Sequence, residues 1–423
     1  MIRLIIRMSR VAVALACCLA FRPVHLRAQS TILTHGFAVS AYGGSIYTAG
    51  ETSHALAGQK NYGGPDAYVQ AYDPNGNLLW TQQFGSTEED RAAGIVADST
   101  GVYTVGLTFG AMPGHAQNAG EDDSFIAKFN PSGHLAWLHQ FGTSGADPAT
   151  SVATDNAGSI YMAGVTGGNL AGTSAGGNDA YLRKYDSDGN VIWTAQFGTS
   201  GDDRAYGVRV DSGGIYVCGR TSGAFPGQTN FGGLDGFVTK FDTNGNQIWL
   251  TQFGSPDDDR GWDVTSDANE IYVTGRADGP LPNATFNGGF DAYVIEFDRN
   301  GNELWTNEFG TIYRDRSNAI VHANGQLYVA GPTTGAFPGY ANQGGEDLMF
   351  SSLTTSGTLL WTVQLGTPGN DTGRGISSDS TGVYVAGEAD GTLPGQTVAS
   401  GGFLIKFDFS GNVLWIQEYS GNP

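Results

Sequence analysis

Seven tryptophans, Trp80, Trp137, Trp193, Trp249, Trp305, Trp361 and Trp415, follow one another at steps of 57, 56, 56, 56, 56 and 54 residues. Only Trp262 stands outside the series. A step of this length marks a structural unit repeated along the chain, and units of this kind bury their apolar faces against their neighbours. Seven tyrosines keep the same step: Tyr47, Tyr103, Tyr161, Tyr216, Tyr272, Tyr328 and Tyr384. The chain therefore holds seven repeats.

Each repeat contains four strand-like pieces with apolar and polar residues in alternation, as in Gly207–Asp211, Ile215–Gly219, Asp235–Phe241 and Gln247–Phe253. Turns such as Asp73-Pro74-Asn75-Gly76, Asp242-Thr243-Asn244-Gly245 and Asp298-Arg299-Asn300-Gly301 place glycine where a hairpin requires a positive φ. Four strands per repeat describe a propeller blade, whereas the rungs of a parallel β-helix are shorter and hold fewer strands. The expected fold is all-β: a seven-bladed β-propeller with four antiparallel strands per blade. Two phasings remain open. Either each blade begins with its innermost strand, with Thr31-Ile32-Leu33 adding an edge strand at closure, or one blade is built from both chain ends.

The N-terminal segment carries Arg3, Arg7 and Arg10, an apolar run from Val11 to Phe21, and then Leu26-Arg27-Ala28. That order predicts a signal peptide over residues 1–28, followed by a single propeller domain over 29–423. The apolar run is too short to span a bilayer, and Cys17 sits in a poor match to a lipid-attachment site. Removing five arginines and no acids takes Lys+Arg from 21 to 16 against 41 Asp+Glu, a formal balance of −25. Such a charge argues against nucleic acid or an anionic membrane surface as partner. Cys218 is then the single cysteine of the domain, so no intramolecular disulfide is expected, and its apolar strand marks it as a core residue.

The recurring pattern Asp-Arg-Ala-x-Gly-Val-x-x-Asp-x-x-Gly-x-Ile-Tyr-Val-x-Gly-x-Thr, clearest at Asp203 to Thr221 and Asp259 to Ala277, resembles the secreted bacterial β-propeller repeat family, SBBP. The resemblance implies an exported or cell-surface propeller and supplies no catalytic residues. The strand order also resembles NHL-type propellers, which favours the phasing with the innermost strand first.

Because strand direction alternates within a blade, the connection after the second strand and the connection between blades share one face. Long loops on a rigid scaffold are where ligands are usually presented. One position there repeats as Asp90, Asp147, Asp203, Asp259, Asp315 and Asp371, followed by Arg91, Arg204, Arg260 and Arg316 in four blades. Such a ring either holds a cation or polyol or, as its repetition from blade to blade favours, caps its own loops or pairs with Arg of an adjacent blade. An apolar loop position, Leu56, Met112, Leu170, Phe225, Leu281, Phe337 and Leu393, reads as a plug between blades.

Two residues before the first apolar residue of each first strand, the repeat stops repeating: His35, Ala93, Thr150, Tyr206, Trp262, Asn318 and Arg374 stand at these equivalent positions. Aromatic residues beside hydrogen-bonding groups suit a sugar ring. The candidate ligand-binding set is therefore His35, Tyr206, Trp262, Asn318 and Arg374 with Arg204, Arg260 and Arg316. Asp186-Ser187-Asp188-Gly189-Asn190 resembles the start of a calcium loop but lacks the distant bidentate Glu, so Ca2+ stays a candidate ion only, and no other cofactor is expected. No catalytic elbow, phosphate loop or dinucleotide motif is present in the sequence. The expected function is an exported, non-catalytic binding scaffold that presents its long-loop face to an extracellular glycan or protein. The alternative is a polysaccharide-acting hydrolase or lyase that uses the same face.

Overall fold

The computed structural model describes residues 34–115 and 118–421. The segment expected to be a signal, Cys17 and the Thr31–Leu33 edge strand lie outside the described residues. Among the described residues twenty-eight strands form seven four-stranded antiparallel sheets. Every sheet is continuous in sequence, from an innermost first strand to an outermost fourth. This is the phasing with the innermost strand first; no blade is shared between the chain ends. The seven inner strands are Thr34–Tyr42, Asp90–Asp98, Ala149–Thr154, Asp203–Asp211, Asp259–Ser266, Ala319–Ala323 and Asp371–Asp379, here taken to head blades one to seven.

In blade four the third and fourth strands fall at Asp235–Phe241 and Gln247–Phe253, as the alternation predicts. The inner strand starts at Asp203, four residues earlier than the alternation suggests, because Asp203 already pairs with Thr221. A bulge between Ala205 and Gly207 interrupts the period-two pattern and hides the beginning of the strand.

The repeated Tyr and Trp explain how blades stay in contact. In each blade the second-strand Tyr lies 6.0–6.5 Å, centroid to centroid, from the fourth-strand Trp. The indole N–H of six of these tryptophans donates to a carbonyl in the outer turn of the next blade at 3.0–3.3 Å. The Gly of that turn lies against the indole: a Cβ on Gly301 would stand 2.7 Å from Trp249. Trp415 makes the same bond to Pro74 O at 3.1 Å, so the joint between blades seven and one repeats the other joints. Tyr68 and Tyr419 hydroxyls meet at 3.0 Å, and Gly421 N donates to Thr34 Oγ1 at 3.0 Å, which completes the closure.

Candidate ligand-binding mouth

The Asp at the head of the inner strand serves its own blade. Asp90, Asp147, Asp203, Asp259, Asp315 and Asp371 are fully buried. Each accepts the backbone N–H of the Ser or Thr four residues earlier at 2.5–2.6 Å. Burial pushes Asp90 and Asp371 up to about 6 and Asp259 up to about 7. These carboxylates close loops, which is the capping alternative among those that the sequence leaves open.

A second lock repeats seven times. The N–H of Leu56, Met112, Leu170, Phe225, Leu281, Phe337 and Leu393 donates to the side chain of Gln83, Gln140, Gln196, Gln252, Glu308, Gln364 and Glu418 respectively. In five blades the same Gln donates its Nε2 at 2.6–2.9 Å to the Asp that opens the third strand. The plugs are thus fixed by both packing and a hydrogen bond.

With the loops fixed, the inner strands surround a central cavity of about 460 Å³, a volume suited to a small ligand. Its rim on the long-loop face is formed by the bulged residues. Phe37, Ala93, Thr150, Tyr206, Trp262 and Arg374 each sit where the register of the inner strand slips, and Asn318 occupies the matching place before the inner strand of blade six. The bulge turns these residues out of the ladder and toward the axis; counting back from the first apolar residue lands two residues short of that place in blade one.

There the expectation of His35 is corrected to Phe37. In blade one the bulged residue, Phe37, is itself the first apolar residue of the strand, so counting two residues back from it gives His35. His35 stands where Arg91, Arg204, Arg260 and Arg316 stand in their blades, and its Nδ1 meets Glu51 at 2.7 Å. Burial pushes Glu51 up, but the His35 hydrogen bond and Arg91, at 3.0 Å, outweigh it and hold the carboxyl below its ordinary value.

Tyr206 and Trp262 are brought together, their ring centroids 4.5 Å apart and 37° from parallel. Arg220 Nε donates to Tyr206 Oη at 2.9 Å, and Arg204 and Arg220 share Asp202 at 3.0 and 2.9 Å. Asn318 Nδ2 donates to Gly373 O at 2.7 Å across to the next blade, and Arg374 pairs with Glu388 at 2.6 Å. Arg316 meets Glu346 at 3.3 Å and Arg260 meets Asp258 at 3.6 Å. The buried indole N–H of Trp262 has no acceptor. Arg220 and Arg276 escape the sequence reading because they lie on second strands, where they share the outward face with Glu51, Leu107 and Glu388 and show no repeat.

Asp186 accepts N–H groups of Asp188 and Asn190 through one oxygen and the Asn190 amide through the other, as Asp242 and Asp298 do in their turns. Its carboxylate serves the hairpin. Cys218 is buried, and burial pushes its thiol well up.

Among known proteins, the family model for the beta-propeller repeat, SBBP, matches residues 136–171 and 360–394. The regulatory protein FlaEY of Caulobacter vibrioides is 24% identical over 427 residues, covering 88% of this chain and 43% of its own. An uncharacterised WD repeat-containing protein of Acanthamoeba polyphaga mimivirus is 25% identical, covering 84% of this chain and 30% of its own. The chain spans less than half the length of these two relatives. Among solved structures, the Pan2 WD40 domain of Neurospora crassa superposes with a TM-score of 0.49 at 11% identity, covering 83% of this chain and 85% of that one. The WD40 beta-propeller domain of Doa1 gives 0.49 at 10% identity, covering 84% and 90%. The chain is a seven-bladed β-propeller that carries the SBBP beta-propeller repeat at two places.

Proposed function

We propose that this chain is an exported, non-catalytic binding propeller whose long-loop face, centred on the cavity mouth, takes a glycan. The observation that carries the reading is the rim itself: one structural position, repeated seven times, holds seven different side chains, and two of them form the half-buried Tyr206–Trp262 pair. A scaffold that repeats its structural residues so regularly and varies this one is presenting chemistry there. An aromatic pair with a free indole N–H, next to the Asn318 amide and the Arg374 guanidinium, offers an apolar platform and polar contacts to a sugar ring.

Binding is favoured over hydrolysis by the use made of the acids. The head-of-strand carboxylates that burial pushes up, Asp90, Asp259 and Asp371, are committed to loop N–H groups and reach no solvent. Export rests on the arginine-flanked apolar segment at the N-terminus. Residues 29–423 screened against glycans and cell-wall polymers, with and without Ca2+, test the reading. Saturable binding that Trp262→Ala weakens about ten- to hundredfold is the expected result. Binding indifferent to Trp262→Ala would move the site away from the mouth.

A further inference from the structure

One sector of the rim differs from the rest in charge. Arg260 and Arg276 face each other across the first two strands of blade five, a like-charge pair of which Arg276 is matched by Asp278, 3.0 Å from its Nε and 3.1 Å from its Nη2. Arg276 and Arg314 both lie over Phe290, their guanidinium carbons 4.5 and 5.7 Å from the ring centroid. Arg316 follows in blade six. Burial lowers Arg276, and Arg260 lowers it further, against the pull of Asp278 and Asp258; burial also lowers Arg316, with Arg374 and Arg276 adding to the effect against the pull of Glu346. In a chain with 21 Lys+Arg against 41 Asp+Glu, this crowding of cations runs against the overall charge.

The acids nearby pair Arg276 and Arg316 but hold Arg260 only loosely and leave Arg314 unmatched. Arg260 reaches Asp258 only at 3.6 Å. Arg314 is exposed and has no ion pair among the described residues. The Nε groups of Arg260 and Arg316 and the Trp262 indole N–H are buried without acceptors, and a buried donor left alone is unfavourable. The loop before blade six completes the sector. Where its counterparts read Thr87-Glu88-Glu89 or Pro256-Asp257-Asp258, it reads Ile312-Tyr313-Arg314, with Ile312 73% and Tyr313 57% exposed. A base stands where they carry their second acid, Tyr where they carry their first, and Ile where they have Thr or Pro.

Building on the reading of the mouth as a glycan site, we propose that its ligand is an acidic glycan, whose carboxylates pair with Arg260, Arg314 and Arg316 while a sugar ring lies on Trp262. Guanidinium groups bind carboxylates through paired N–H donors, and the three orphan N–H groups then gain acceptors. The close, tilted aromatic pair at the mouth of the cavity favours a sugar ring over an extended acidic peptide.

Calorimetric titration of the 29–423 protein with an oligogalacturonate, its fully methyl-esterified form and polyglutamate provides the test. The expected result is oligogalacturonate binding that weakens with salt, falls about tenfold on esterification and about fivefold or more in Arg314→Gln or Arg316→Gln. Lys184→Gln, on the opposite face, is expected to leave it unchanged, and thermal unfolding of each variant confirms that the fold is retained. Equal binding of the acid and ester forms, lost in Trp262→Ala, overturns the anionic inference and leaves the glycan mouth standing. Oligogalacturonate binding that depends on Arg314 but not on Trp262 overturns the mouth and leaves the charge. Preference for polyglutamate overturns the glycan in favour of an acidic protein, and no binding of any probe by the folded protein overturns the acidic-glycan proposal.

Discussion

Glu308 occupies the place that Gln83, Gln140, Gln196, Gln252 and Gln364 fill in their blades, and it faces Asp291 where they donate an amide to Asp. Two buried carboxyls cannot both be charged at low cost, so burial, with Asp291 adding to it, pushes Glu308 from 4.5 up to about 7. Burial also pushes Asp291 up to about 6. A raised folded-state value means that the fold holds the proton more tightly than the unfolded chain does. The stability it contributes is fully present below pH 4.5 and is lost as pH rises through about 7. Glu308→Gln supplies a permanent donor, so it should stabilise by about 2–3 kcal/mol at pH 8 and by close to nothing at pH 4. Urea unfolding at the two pH values reads this directly; an equal gain at both would place the effect in packing. The glutamine series was visible in the sequence at the same step as the tryptophans, but hydrogen bonds between long side chains and loop N–H groups leave no hydrophobic period to draw the eye. The capping Asp was easier to find because it recurs in six blades and is followed by Arg in four of them.

At the scale of the element, the strands and turns were legible because alternation and turn glycines obey strict geometry, whereas the bulges were not. A bulge inserts one residue without changing composition, so the inner strand of blade four looks as if it starts at Gly207, and blade one, whose bulged residue is itself the apolar Phe37, looks as if His35 rather than Phe37 stands at the rim. The turn glycines also carry a second constraint that only packing reveals. Gly301 has φ +84° and lies against Trp249, whereas Gly325 has φ +73° and nothing within 4 Å. Gly325→Ala meets only the backbone strain of a left-handed residue, about 1 kcal/mol. Gly301→Ala meets that strain and a 2.7 Å contact with the indole, and should cost about 2–3 kcal/mol. Denaturant midpoints of the two variants separate strain from contact. If they fall equally, the indole yields, and the Trp-over-Gly joint contributes little to holding neighbouring blades.

At the scale of the whole molecule, the ring is a set of seven like joints, six of which are also bridged by the chain. The seventh, between blades seven and one, is held by Trp415 on Pro74, by the Tyr68–Tyr419 contact and by Gly421 on Thr34. Repetition alone could not decide between this closure and a blade shared by both ends, since both give seven tryptophans; the resemblance to NHL-type strand order was the only pointer. If side-chain joints close the ring, the place where the chain is cut should matter little. Gly421 and Thr34 already touch, so a short Gly/Ser linker joins them without distorting either blade. A circular permutant with that linker, opened instead between Ser144 and Gly145 in the connection before blade three, keeps all seven joints and all seven continuous blades. It should fold with an unchanged far-ultraviolet spectrum and a Tm within about 5 °C of the parent. Opening it instead within blade three, between Met162 and Ala163 on the second strand, interrupts a buried strand and should abolish cooperative unfolding. Were the first permutant to unfold as readily as the second, the connection between blades two and three would be holding the ring together, and the joint geometry would not be enough to close it.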